Sequence, residues 1–82
     1  MTSIPTVDAR GLRCPMPLVM TKLRMEGLAG GDELLVMATD PEAAIDLAAW
    51  AADEGHGLRE RSGASWTEFV LRKRDGGSTS RS

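Results

Sequence analysis

Glu33-Leu34-Leu35-Val36-Met37-Ala38-Thr39-Asp40-Pro41 is where the chain changes from a strand period to a helix period. Leu34 to Ala38 is apolar at every position, the pattern of a central strand touched on both faces. Leu34, Val36 and Ala38 share one face and Leu35 and Met37 the other. If helices cover one side of the sheet, one of these sets is less protected. Lateral packing by neighbouring strands is its expected use, a partner or dimer contact the alternative. Asp40-Pro41 then opens a helix, the aspartate as N-cap acceptor and the proline at the first helical position. Glu42 to Glu54 is rich in alanine and has high helix propensity. Its expected core stripe is Ala44, Ile45, Ala48 and Ala52, with Leu47 and Ala51 on the shoulder. Trp50 points away from the stripe's centre, to cover an edge or loop or to meet a partner. Gly55 is expected to end the helix as a left-handed cap.

Downstream, His56 to Arg61 and Trp66 to Arg72 read as two strands joined through Ser62-Gly63-Ala64-Ser65, an antiparallel hairpin. Leu58, Phe69 and Leu71 are its inward candidates; Arg59 and Arg61 face solvent. His56 reads as a structural histidine at a strand start rather than as a base. Upstream, Ala29-Gly30-Gly31-Asp32 is a turn rather than a phosphate loop. Pro15 to Gly27 is the first helix, and Thr6 to Ala9 a short first strand with Val7 and Ala9 inward. The order is β-α-β-α-β-β. Right-handed crossovers place both helices on one face of a four-stranded mixed sheet, an α/β two-layer sandwich. Residues 1–74 form a single domain in this reading, and 75–82 a flexible polar tail.

The chemistry is expected at Gly11-Leu12-Arg13-Cys14-Pro15-Met16-Pro17. Cys14 is the only cysteine and occupies or adjoins the cap of the first helix. There the positive end of the helix dipole, with Arg13 beside it and Arg10 nearby, favours the thiolate. Pro15 and Pro17 remove two of the first three amide donors, so direct hydrogen bonding to sulfur is thin. Helix-terminal cysteines span pKa values of roughly 3.5 to 7.5, and Cys14 belongs near the top of that range. At 100° per residue, Met16, Val19, Met20 and Leu23 form the expected core stripe. Leu18, Thr21 and Met25 then fall on the outward side with Cys14, a docking strip with Lys22 on its margin. The loop between the first strand and first helix lies at the carboxyl edge of the parallel strands, where sites form in open α/β sheets.

Composition narrows the function. With 41% hydrophobic and 27% charged residues, the 82-residue chain is an ordinary globular one. A net charge of −2 argues against strong direct nucleic-acid binding and against an anionic membrane surface. One cysteine excludes an internal disulfide, and one cysteine with one histidine argues against a zinc site. No apolar run approaches the roughly 18 residues of a membrane span. Met1-Thr2-Ser3-Ile4-Pro5 lacks the apolar core of a secretory signal, so a cytoplasmic, reducing location is expected, where a free thiol stays available.

Gly11-Leu12-x-Cys14-Pro15-x-Pro17 near the N-terminus of a chain of this size resembles the TusA/SirA family of small sulfur carrier proteins. The likeness continues through Asp40-Pro41, then Asp46, Leu47 and Trp50, and Gly55-His56, covering residues 6–74. Three positions depart from the family pattern. Thr39 stands where an acidic residue is common, Ala48 where a helix-breaking proline often occurs, and Arg10 where an apolar residue is frequent. The resemblance implies the same two-layer fold and a persulfide sulfur carried on Cys14, with Gly11, Leu12, Arg13, Pro15, Pro17 and Asp40 as supporting motif residues. It implies a cysteine desulfurase or rhodanese-type donor and a downstream sulfur-accepting protein. The routes it suggests are tRNA thiolation, molybdenum-cofactor assembly and sulfur-compound oxidation.

The residues themselves point the same way. A hydrolase-type nucleophile needs a general base and an oxyanion hole, yet the single histidine is uncommitted and no carboxylate pair is spaced for acid–base work. A thiol–disulfide oxidoreductase needs a resolving cysteine, which the chain lacks. An exposed thiol with no auxiliary groups suits a relay whose partners supply acids and bases, without cofactor or metal. Two alternatives stand beside it: a regulatory or scaffold protein-binding module with a redox-sensing cysteine, and a fold in which Cys14 is buried and inert.

Overall fold

The computed structural model of the protein describes residues 4–75. Six elements follow in order: β1 (Thr6–Ala9), α1 (Met16–Glu26), β2 (Glu33–Ala38), α2 (Pro41–Glu54), β3 (Gly57–Ser62) and β4 (Thr67–Arg72). The order is the expected one, and element limits fall within a residue of those read from the sequence. The expected tail lies outside the described residues, apart from Asp75.

Sheet order is β1-β2-β4-β3. β1 runs parallel to β2, with Val7 opposite Val36 and Ala9 opposite Ala38. β4 lies antiparallel between β2 and β3, pairing Leu34 with Leu71, Val36 with Phe69, and Leu58 with Leu71. Strand alternation therefore gathers Val7, Ala9, Leu34, Val36, Ala38, Phe69 and Leu71 on one face, and all seven are buried. Both helices cover that face. The opposite face carries Leu35, Met37 and Val70, half-buried by their cross-strand neighbours, which is the lateral packing expected of them. At its margin the Arg10 guanidinium grips Asp8 through two 2.8 Å hydrogen bonds and lies 4.7 Å from the Trp66 ring centroid. Charge thus replaces the apolar residue frequent at this position, and the guanidinium holds the Asp8 carboxyl down at about 2.

Both helices are rotated relative to the sequence-based expectation. In α1 the buried positions are Pro17, Thr21 and Met25, with Leu18 packed against the core. Met16, Val19 and Leu23 are exposed, Leu23 to 65%. Thr21 is fully buried because its hydroxyl donates to the Pro17 carbonyl at 2.7 Å, so the polar atom is satisfied within its own helix. Of the expected stripe only Met20 packs against the core; apolar residues line both sides of α1, and the angle alone did not show which side meets the sheet. In α2 the buried residues are Ala43, Leu47 and Ala51, while Ile45 is 63% exposed. Alanines at nearly every angle made the faces of α2 equivalent by composition, and the large Leu47 takes the interior. The caps of α2 behave as expected: the Asp40 side chain accepts from Glu42 N–H, and Gly55 adopts φ 79°.

At the end of the sheet where β4 finishes, Lys73 Nζ donates to the carbonyls of Met25 (2.8 Å), which also accepts the Leu28 amide, and Leu28 (2.6 Å), tying the end of α1 to the end of β4. His56 Nδ1 accepts the Arg74 amide at 2.9 Å. Its ring sits 5.0 Å from that of Trp50, which covers this edge of the helical layer.

Candidate functional site

The segment joining β1 to α1 leaves the sheet at the carboxyl ends of β1 and β2, the edge from which Thr39 and Asp40 also emerge. Three hydrogen bonds shape it. The Leu12 amide donates to the Ala9 carbonyl (3.2 Å), closing a turn, and the Met16 amide donates to the Arg13 carbonyl (2.9 Å). The Gly11 amide donates to Thr39 Oγ1 (2.9 Å). Gly11 sits at φ 82° with open space where a Cβ would be, so the backbone angle alone favours glycine there. Thr39, where the family often has an acid, supplies the same acceptor without a charge.

Cys14 follows, half-buried, with its peptide bond to Pro15 in cis. Pro15 is the cap residue of α1, giving its carbonyl to the Val19 amide at 2.9 Å, and Pro17 is the second helical residue. Asp40 ties the cysteine to α2: Oδ2 accepts the Cys14 amide at 2.8 Å, and Oδ1 accepts the Glu42 amide at 2.9 Å. These two donors, with Arg13 nearby, hold the Asp40 carboxyl below its usual range. Asp40 is therefore both the cap expected of it and the clamp on the cysteine's backbone.

The thiol meets a second carboxylate. Cys14 Sγ donates to Asp46 Oδ2 at 2.6 Å, across 32 residues of chain. That hydrogen bond, then partial burial, then the charges of Asp46, Asp40 and Glu42 push the Cys14 thiol up to about 11. The expectation of a depressed pKa is overturned. Pro15 and Pro17 bring no N–H and the Met16 amide is spent on Arg13, so little of the first turn can face the sulfur. Arg10 is committed to Asp8, and Arg13 acts on Asp40. The acids arriving from α2 decide the sign.

The expected docking strip does not form. Thr21 and Met25 lie in the interior and Leu18 packs against it, leaving only Lys22 exposed. Leu12, Arg13 and Pro15 are exposed around the thiol, and Pro17 is buried. His56 stands at the opposite edge of the sheet, beside Arg74, far from any role as base for Cys14. Asp46 is the residue that sequence reasoning passed over as a participant; it appeared only among the positions shared with the family. Among the described residues no group of three or more His, Cys, Asp or Glu side chains is placed to hold a metal ion, and no helix is long and apolar enough to cross a membrane. The arrangement is a single part-exposed thiol with one carboxylate on its proton, suited to exchange at sulfur with a group brought from outside.

Comparison with known proteins agrees with this geometry. Residues 5–73 match the family model described as sulfurtransferase TusA. The Bacillus subtilis (strain 168) protein YrkI is 48% identical over 62 residues, covering 76% of this chain and 83% of YrkI. YrkF of the same organism is also 48% identical, over 56 residues and 68% of this chain, but the match spans only 30% of YrkF's length. A sulfur carrier protein TusA from Pseudomonas entomophila (strain L48) is 33% identical over 72 residues, 85% of this chain and 90% of the relative. Among solved structures, a SirA-like protein from Desulfitobacterium hafniense superposes with a TM-score of 0.79 at 20% identity, covering 87% of this chain and 99% of that one, a likeness of fold.

Proposed function

Because the chain belongs to the sulfurtransferase TusA family, we propose that it is a sulfur carrier in which Cys14 accepts a persulfide sulfur and passes it on. The donor is a cysteine desulfurase or another sulfurtransferase of the rhodanese type. The acceptor is a protein serving tRNA thiolation, molybdenum-cofactor assembly or sulfur-compound oxidation. The observation that carries the reading is the placement of the chain's one thiol, half-exposed at the carboxyl edge of the parallel strands, with no second thiol to resolve it. Met16, Val19 and Leu23, exposed along α1 just after the cysteine, give a sulfur donor apolar surface on which to approach.

In the forward step, Cys14 sulfur attacks the outer sulfur of the donor's cysteine persulfide. The donor's S–S bond breaks, its own cysteine leaves as thiolate and takes up the proton that Cys14 loses, and Cys14–S–SH remains. In the second step an acceptor thiolate attacks that outer sulfur and Cys14 is regenerated.

The test is to incubate the full chain with a cysteine desulfurase and free cysteine and weigh it intact. Gain of one reductant-labile sulfur, absent in Cys14→Ser, is the expected result. A wild type left unmodified under conditions that load another sulfur carrier would overturn the reading.

A further inference from the structure

Cys14 and Asp46 meet although 32 residues separate them, and the contact involves the atom that must do the chemistry. Two other acids face the same region from the first turns of α2, and neither is available to it. Both oxygens of Asp40 are occupied by backbone amides, and Glu42 acts on the sulfur through charge alone. The nearby cation, Arg13, is exposed and acts on Asp40 through charge alone. His56 is at the far edge. Asp46 Oδ2 thus holds the thiol hydrogen.

Resting on the carrier reading above, we propose that Asp46 is the proton acceptor for Cys14 in sulfur loading, and that it keeps the unloaded thiol quiet until a persulfide donor is in place. In the loading step the Cys14 S–H bond breaks and its proton passes to Asp46 Oδ2. The sulfur electron pair forms a bond to the outer sulfur of the donor's R–S–SH. The donor's S–S bond breaks with its electrons going to the donor cysteine sulfur, and the proton on Asp46 passes to that thiolate. The sum is Cys14–SH plus R–S–SH giving Cys14–S–SH plus R–SH, balanced in atoms, protons and electrons with no outside oxidant. Loading also removes the hydrogen that Asp46 accepts, since the inner sulfur of a persulfide carries none. The contact therefore belongs to the empty carrier and is absent from the loaded one. Before docking, the surrounding negative charge keeps the thiol protonated, so small electrophiles find a poor nucleophile.

Asp46→Asn, which preserves shape and removes the charge, separates the two effects. Alkylation of the full chain by iodoacetamide is followed across pH, and loading is followed by intact mass with a desulfurase and cysteine. Alkylation of the variant at neutral pH is expected to rise about tenfold or more as the thiol's midpoint falls toward the ordinary value. Loading is expected to slow by about tenfold or more as the base is lost. Asp46→Glu should recover part of the loading rate. A residue that only props the loop would move both rates in one direction. An unshifted alkylation profile, or Asp46→Asn that loads as fast as a wild type that itself loads, overturns the proposal alone. A wild type that takes no sulfur overturns the carrier reading and this proposal with it.

Discussion

Asp40 joins the cysteine loop to the second helix, accepting the Cys14 amide at 2.8 Å with one carboxylate oxygen while the other caps α2 through Glu42. One side chain thus fixes both the start of a helix and the backbone of the residue 26 positions before it. Asp40→Ala is expected to lower the melting temperature by about 4–8 °C for the lost cap alone. Asp40→Asn, itself a good capping residue, should keep most of that. Because the folded carboxyl is held below its usual range, its contribution is fully present above the unfolded aspartate pKa and is lost as pH falls through the folded one. Melting curves from neutral pH into strong acid should show a limb that Asp40→Asn reduces.

The thiol gives a limb at the other end of the scale. The folded state holds the Cys14 proton up to about 11, whereas the unfolded chain releases it near 8.5. Between these values the native state binds more protons, so its stability falls as pH rises. Denaturant titrations should show this alkaline decline in the wild type and a flatter profile in Cys14→Ser. A wild type with no decline there would contradict the geometry around the sulfur.

The rotation of the helices is open to direct test. Leu47 is fully buried in the core cluster, whereas Ile45 stands 63% exposed two residues earlier. Leu47→Ala should cost about 2–5 kcal/mol, and Ile45→Ala should stay within about 0.5 kcal/mol. Equal losses from the two, measured by urea unfolding, would mean that the helix lies in another phase.

His56 is expected to titrate below the ordinary histidine value, because burial beside Trp50 disfavours its charged form. Protonating Nδ1 would in addition cost the bond from the Arg74 amide. Its share of stability is present above pH 6.5 and is lost as pH falls through the folded pKa. Imidazole resonances followed by NMR across pH 4–8 report the midpoint, and Trp50→Ala should raise it.

The strands were legible because their evidence is local. Val7 and Ala9 alternate with polar neighbours, Leu34 to Ala38 is an unbroken apolar run, and Asp40-Pro41 and Gly55 punctuate α2 with residues that have few other uses. Helix rotation was not legible, because residue size and hydrophobicity do not reveal which side can approach the sheet. Thr21 was placed outside by its angle between Leu18 and Met25, yet it is buried, its hydroxyl donating to the Pro17 carbonyl one turn back. The same error hid the thiol's partner: turning Ile45 inward swings Asp46 away from Cys14, and no spacing rule links positions 14 and 46. The helix-dipole argument for an acidic thiol was sound locally and was outweighed by carboxylates arriving from a helix it did not consider.

The strand register also decides where attachments can be tolerated. β1 begins, and β4 finishes, at the margin of the sheet marked by Glu33 and Leu35, while the sulfur sits past the opposite margin. A fluorescent protein, a surface tether or another folded unit joined directly before Ile4 or directly after Asp75 therefore departs on the side away from the thiol. Fusions and immobilised forms should exchange sulfur with their partners as freely as the isolated chain.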